Sequence, residues 1–297
     1  MRTPFGERER MLGGSAVHFS LAASFFTDVR VVGPVGHDFG EDQVGVLRER
    51  GVVTDDIERV EDGETVFWAG EDGWDHNSRE TLDTQLGVFG DFEPKLSDAS
   101  RAAESLFLAN IQPDLQLRVR EECTGASFVA LDSMNLWIET VRDSLVEAIG
   151  QTNLVVMNDE ELRQLTEQPN LLRAAQRVME MGPDAVVAKL GQYGASLYTR
   201  EGFFALPAYP LEDVVDPTGA GDSFAGGFLG YLAAQGGDAH TDEPTLRRAM
   251  TYGSVLGSFN VEEFGVERVA RLTREEIDSR YEEFRRITAI EAATDPA

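Results

Sequence analysis

The stretch "VVDPTGAGDSFAGGFLGYLA", residues 214–233, decides how this chain folds. An extended apolar pair, Val214 and Val215, runs into Asp216 and Pro217. Three small residues follow Thr218: Gly219, Ala220 and Gly221. Then come an acid, Asp222, and an apolar, glycine-dotted run with the character of a helix. Gly219 and Gly221 lack Cβ, so the backbone there can take unusual φ and lie close to a ligand. The first N–H groups of the helix have no internal partners. Together with the helix dipole they favour an anion.

A carboxylate at that place competes with the anion unless it has a task of its own. Accepting a proton from an attacking hydroxyl is such a task, with the loop amides stabilising a transferring phosphoryl group. On this reading Asp222 is the base and Gly219, Ala220 and Gly221 form the anion hole. The plainer reading is a helix start with small residues for packing and a capping acid. Two other phosphate motifs fail. No G-x-x-x-x-G-K-[ST] string occurs, and a G-x-G-x-x-G fingerprint would need glycine where Phe224 stands.

Upstream, short apolar runs alternate with helical patterns. "VRVVGPVG" (29–36), "SLFLANI" (105–111), "SFVALD" (127–132), "NLVVMN" (153–158) and "DAVVAKLG" (184–191) read as buried strands. "EDQVGVLRERG" (41–51) reads as a helix, and "NLWIETVRDSLVEAIG" (135–150) and "LLRAAQRVMEMG" (171–182) carry helical patterns. The alternation predicts an α/β fold with a mostly parallel sheet covered on both faces. "IERVEDGETVFWAGEDGW" (57–74) breaks the rhythm: two extended runs flank "EDGE", a hairpin signal, and predict a small antiparallel flap near 55–90. The last residues, "ITAIEAATDPA", read as a frayed tail. No repeat, linker or domain boundary is visible, so residues 1–297 read as one domain.

The composition bounds the rest. With 297 residues, 42% of them hydrophobic, the chain can bury a sizeable core. Asp plus Glu number 53 against 26 Lys plus Arg, a net charge of −27. Such a surface repels nucleic acid and anionic membranes. Lys95 and Lys189 are the only lysines, a balance that suits a protein kept soluble at high salt. No apolar run reaches the length of a membrane span, and the start, "MRTPFGERER", carries no apolar signal region. Cys123 is the single cysteine and reads as buried filler in a cytoplasmic protein. The four histidines, at 18, 37, 76 and 240, show no metal-ligand spacing.

"DPTGAGDSFAGGF" resembles the C-terminal signature of the ribokinase-like (PfkB) carbohydrate kinase family. Other stretches are similar in the family's order. "GGSAVHFSLAASFF" (13–26) resembles its Gly-Gly motif against the sugar, "NDEE" (158–161) its N-x-x-E motif, and "KLGQYGA" (189–195) its nucleotide-side loop. The resemblance implies ATP and Mg²⁺ as cofactors. It implies that Asn158, Glu161, Lys189, Gly191, Gly194 and Thr218 border the nucleotide, with Glu161 supporting Mg²⁺ through water. It implies that Gly13, Gly14, His18 and Asp216 border the substrate, that the 57–74 flap is a lid, and that the protein is a homodimer.

Each piece has a plainer reading too. Gly13 and Gly14 can end a strand, Asn158 and Glu161 can form a capping box, and Lys189 can be a solvated strand-end lysine. Asp132 and Asn135 in "LDSMN" lie at a strand end where α/β sheets place ligands, though a turn and a helix cap explain them as well.

Two departures stand out. His18 occupies the place where the family's motif usually has Asn. Only twelve residues precede Gly13, too few for the strand and substrate-binding Asp with which family members begin. Loss of that strand predicts an exposed apolar edge and unpaired backbone. The leading expectation is an ATP-dependent kinase acting on a hydroxyl of a sugar or polyol. The alternatives are a nucleoside kinase of the same fold and a non-catalytic sugar- or nucleotide-binding homologue; a dehydrogenase is the weakest.

Overall fold

The computed structural model describes residues 1–74, 79–90 and 92–290. Two short strands, β1 (Arg2–Thr3) and β2 (Gly6–Glu7), precede α1 (Ser15–Ala23). Next come β3 (Arg30–Gly36), α2 (Glu41–Glu49) and β4 (Val53–Val60), then the hairpin strands β5 (Phe67–Asp72) and β6 (Arg79–Gln85). The middle of the chain alternates: α3 (Asp98–Arg101), β7 (Ser105–Leu108), α4 (Pro113–Glu122), β8 (Phe128–Leu131), α5 (Asn135–Thr140) and α6 (Arg142–Ile149). It continues with β9 (Leu154–Asn158), α7 (Asp159–Thr166), α8 (Leu171–Met181), β10 (Ala185–Lys189), β11 (Ala195–Thr199) and β12 (Phe203–Leu206). α9 (Ala220–Gln235), α10 (Glu243–Asn260), α11 (Glu267–Ala270) and α12 (Arg274–Thr288) close it.

The core is a six-stranded sheet in the order β12-β11-β10-β9-β8-β7. β7 to β10 run parallel, and β11 and β12 add antiparallel strands at one end. Its strands are apolar on both faces, which is why they read as continuous runs. Phe128, Ala130, Leu154, Val156, Ala185 and Val187 pack with α9, α10 and α12. The alternate residues, Val129, Leu131, Val155, Met157, Val186 and Ala188, pack with α5 to α8. The expected α/β architecture is therefore a three-layer sandwich.

Two other small sheets stand beside it. β3 and β4 pair in parallel, and β2-β1-β5-β6 form a four-stranded sheet in which Arg2 pairs with Glu71. No strand lies between β3 and β7 among the described residues; each has a single strand neighbour. The backbone edge is unpaired as expected, but the apolar side chains there are largely covered: Val31 and Leu108 are buried, and Val32, Leu106 and Phe107 partly so. Val31 packs with Val17 and Leu21 of α1, and Val32 packs against the cluster that holds Leu108. Phe19 of α1 stacks on Phe107 of β7, with ring centroids 4.2 Å apart.

Two sequence expectations need correction and one is refined. The flap is not a hairpin about "EDGE". β4 pairs with β3 instead, and its turn folds back on β3, where a Cβ on Gly36 would stand 2.3 Å from the Gly63 carbonyl oxygen. The hairpin is β5 with β6. The helical pattern over 135–150 forms two helices, broken at β-branched Val141, whose φ of −142° and ψ of 44° lie outside the helical range. The tail begins later than read: Ile287 and Thr288 still belong to α12, while residues 291–297, like His76, lie outside the described residues. Among the described residues no helix is long and apolar enough to cross a membrane.

Candidate active site

Parallel strands present their carboxyl ends side by side, where α/β sheets place ligands. Asp132 follows β8, Asn158 ends β9 and Lys189 ends β10, with Lys189 in register with Asn158. Above them sits the N-terminus of α9.

Small residues set that helix in place. A Cβ on Gly226 would stand 2.4 Å from the Phe19 carbonyl oxygen, and one on Gly230 would stand 2.8 Å from Ala23 Cα. The backbones of α1 and α9 therefore touch, and the contact brings His18 beneath Gly219. Gly219 is held at φ 77°, the left-handed region, and its Cβ would fall 2.3–2.4 Å from atoms of the His18 imidazole. No side chain caps α9. The Ser223 amide donates to the Gly219 carbonyl at 2.8 Å and the Ala220 amide to that of Pro217 at 3.3 Å. The amides of Gly219, Gly221 and Asp222 donate to no protein acceptor among the described residues.

Asp222 lies in the first turn of α9. Desolvation, reinforced by the nearby Asp132 charge and only partly opposed by Lys189, pushes its carboxyl up to about 7. Burial also raises the Glu161 carboxyl above its ordinary range, against the pull of Lys189. For Lys189, burial alone would lower the ammonium, but Asp132, Glu161 and Asp222 outweigh it and keep it charged. Its Nζ donates to Asp132 Oδ2 at 2.8 Å. One cation and three acids thus share the space under the α9 terminus.

Asn158 and Glu161 form a reciprocal capping box on α7: Asn158 N–H donates to Glu161 Oε2 and Glu161 N–H to Asn158 Oδ1, both at 2.8 Å. Gly191 and Gly194 shape the turn that leaves β10, beside Lys189, with φ of 57° and 104°. Gly14 is the N-cap residue of α1, and its carbonyl accepts the Val17 and His18 amides. Gly13 lies against the His18 ring.

His18 is held by a residue that carried no signal in the sequence. Asn260, fully buried at the end of α10, donates through Nδ2 to the Thr218 carbonyl at 2.7 Å. That fixes its Oδ1 toward the Ser223 hydroxyl, which donates at 2.9 Å, and toward His18 Nδ1 at 2.8 Å. His18 therefore carries its proton on Nδ1. Burial drops its pKa to about 4, so it is neutral, and its Nε2 is a buried acceptor without a partner.

Asp216 corrects the sequence reading. It is fully buried, and its carboxylate accepts the Thr218 amide at 2.9 Å and the Gly265 amide at 3.1 Å. Both oxygens brace the loop, so Asp216 does not face a substrate. Among the described residues no three acids, histidines or cysteines stand close enough to cage a metal. A divalent ion here would be carried by phosphate oxygens and water, with Glu161 outside it, the usual habit of Mg²⁺.

The chain matches the pfkB family carbohydrate kinase pattern over residues 6–271. It belongs to that family. This pfkB kinase is 29% identical to a cytidine kinase of Thermococcus kodakarensis over 241 residues, 77% of this chain and 83% of that protein. It is 28% identical to a nucleoside kinase of Methanocaldococcus jannaschii over 162 residues, 54% of this chain but about half, 50%, of that relative. Its fold matches the fructokinase of Vibrio cholerae with a TM-score of 0.76 at 20% identity, over 94% of this chain and 95% of that one. The pfkB kinase thus has the ribokinase fold. Its N-x-x-E motif adjoins the α9 terminus through Glu161, the Gly13-Gly14 motif through His18, and the Gly191–Gly194 turn follows Lys189, which lies beside Gly221. Asn260 and the Asp132–Lys189 pair join them; the strand-end position of Asp132 suits a ligand contact and a turn equally, and its bond to Lys189 places it in the site.

Proposed function

We propose that this kinase uses Mg-ATP to phosphorylate a hydroxyl of a sugar, free or carried in a nucleoside. The observation that carries the reading is Asp222, its carboxyl raised to about 7, beside the unpartnered amides of the α9 terminus. A base poised near neutrality takes the proton of the attacking hydroxyl as its oxygen bonds to the γ-phosphorus. The bond from that phosphorus to the β,γ-bridging oxygen breaks, and ADP leaves. The unpartnered amides of Gly219 and Gly221 stabilise charge on the transferring group, while that of Ala220, expected with them, already serves the Pro217 carbonyl. When bound, Mg²⁺ neutralises phosphate charge, and Glu161 would orient its water. Lys189, Thr218 and the Gly191–Gly194 turn border the nucleotide; Gly13, Gly14 and His18 border the acceptor.

Relatives matching most of the chain include two nucleoside-class kinases and, over 83% of it, a ribose-1-phosphate kinase of Halopiger xanaduensis, so the nucleoside side of this class is favoured two to one. The cytidine kinase and a 26% identical nucleoside kinase of Methanothermobacter thermautotrophicus cover 77% and 86% of it. We read the β2-β1-β5-β6 sheet as the lid and as the surface on which two copies pair, because Phe5, Val66, Trp74, Leu82 and Leu86 on and beside it are exposed. Consumption of ATP and the charge of −27 support a cytoplasmic enzyme of a salt-rich cell that takes no nucleic acid.

The test is ADP release from Mg-ATP against a panel of sugars, polyols and nucleosides at low and high KCl. Turnover with one acceptor names the substrate. Asp222→Asn is expected to bind ATP while kcat falls by roughly 10²–10⁴. Retained turnover in that variant removes Asp222 as the base, and binding of ATP without turnover on any acceptor points to a binding protein.

A further inference from the structure

Lys189 serves two neighbours at once. Its Nζ lies 2.8 Å from Asp132 Oδ2, and the same Nζ is 3.3 Å from where a Cβ on Gly221 would stand. The ammonium therefore lies beside Gly221, in the space a side chain there would fill, while a carboxylate holds it. The pair is well shielded, with side-chain exposures of 19% for Lys189 and 5% for Asp132. Asp132 Oδ1 accepts the Ser133 amide at 2.8 Å, and Gln116 Nε2 donates to the carbonyls of Leu108, Ala109 and Asp132 at 3.2, 2.9 and 3.0 Å. The carboxylate is thus anchored, whereas the lysine hangs on a flexible stem.

The geometry points to Asp132 as a resting counter-ion: it holds the Lys189 ammonium while the hole is empty and yields it to a phosphate oxygen when nucleotide enters, so Asp132 sets how tightly the site takes anions. The inference rests on the kinase reading above. A phosphate oxygen at the unpartnered amides of Gly219 and Gly221 lies within reach of an ammonium already beside Gly221. Bonds from ammonium to carboxylate and to phosphate are of similar strength, so the exchange is easily tipped. Glu161 and Asp222 also act on Lys189, so removing the Asp132 charge does not leave the lysine without a counter-charge.

The chain offers an unusual handle, because Lys95, bonded to Glu58 on the surface at 2.7 Å, is the only other lysine. Selective ¹⁵N-lysine labelling gives two ammonium signals, and Lys189→Met identifies one by deleting it. Inorganic pyrophosphate is expected to shift the Lys189 signal and leave that of Lys95; an unmoved Lys189 signal overturns the inference without any change at Asp132. Calorimetric titration with pyrophosphate and ADP, with no acceptor present, then tests Asp132. Asp132→Asn is expected to bind both on the order of tenfold tighter and to lower KM for ATP, and Lys189→Met to bind both more weakly. The gain should largely vanish when Asp132→Asn is made in the Lys189→Met background. An equal gain there would mean Asp132 acts by repulsion alone, and unchanged or weaker binding in a folded Asp132→Asn or Asp132→Ser protein would also sink the exchange. Wild-type protein that binds neither probe fails the kinase reading itself, a different result from binding that Asp132 does not control.

Discussion

At the scale of single residues, Asp222 sets stability against chemistry. Its carboxyl titrates near 7 in the folded chain and near 4 in an unfolded one, so the folded state holds a proton that the unfolded state has lost. The fold therefore loses stability as pH rises from about 4 to 7, and the full penalty is present above 7. Asp222→Asn is expected to be roughly 2–4 kcal/mol more stable than wild type at pH 8, with the gap closing toward pH 5, as urea unfolding at the two pH values would measure. Turnover of the wild type should fall on the acid side of about 7, since only the ionised carboxylate accepts a proton. The loop from Gly219 to Asp222 was legible because its parts are contiguous in the chain. Asn260 was not: it reaches His18 across 242 positions, and nothing local marks a helix-terminal asparagine as the clamp of a distant loop. Asp216 misled for the opposite reason, since an acid beside a ligand loop looks the same whether it faces the ligand or holds the loop's amides.

At the scale of elements, the contact between α1 and α9 holds the site together. Gly226→Val would drive its side chain into the Phe19 carbonyl, 2.4 Å from the first added carbon. Backbone cannot give way there as a flexible side chain could, so a loss of several kcal/mol in denaturant unfolding is expected, with turnover falling as His18 and Gly219 part. Gly45→Ala on α2 is the control: nothing lies within 4 Å of its added methyl, and a gain of about 0.5–1 kcal/mol follows from helix propensity alone. The strands of the main sheet were legible because they are buried on both faces. The hairpin was misplaced because Asp62-Gly63 signals a turn but not what the strands beside it pair with; β4 found β3 instead. Val141 breaks a helix whose apolar spacing runs through the break, which periodicity cannot register.

At the scale of the whole molecule, the charge of −27 makes ionic strength part of the fold. Screening shortens to about 3 Å at 1 M salt, which removes most of the repulsion among exposed acids. The melting temperature is expected to climb steadily from 0.05 to 2 M KCl, by more than NaCl-independent sucrose at equal osmolality produces; a flat profile would show that the acids are already balanced by the arginine ion pairs. Composition announced that dependence, but it could not say that the sheet is divided. Among the described residues no backbone ladder crosses between β3 and β7, and what joins the two parts is side-chain packing through α1 and Val32 together with the hydrogen bonds of Ser97 and Ser100 to Asp56 on β4. Packing of that kind can open by wetting a seam without breaking any strand pair. The molecule should therefore behave as two cooperative blocks, with the amide protons of β3 and β4 trading for deuterium through an opening that leaves β9 and β10 protected until the entire chain unfolds.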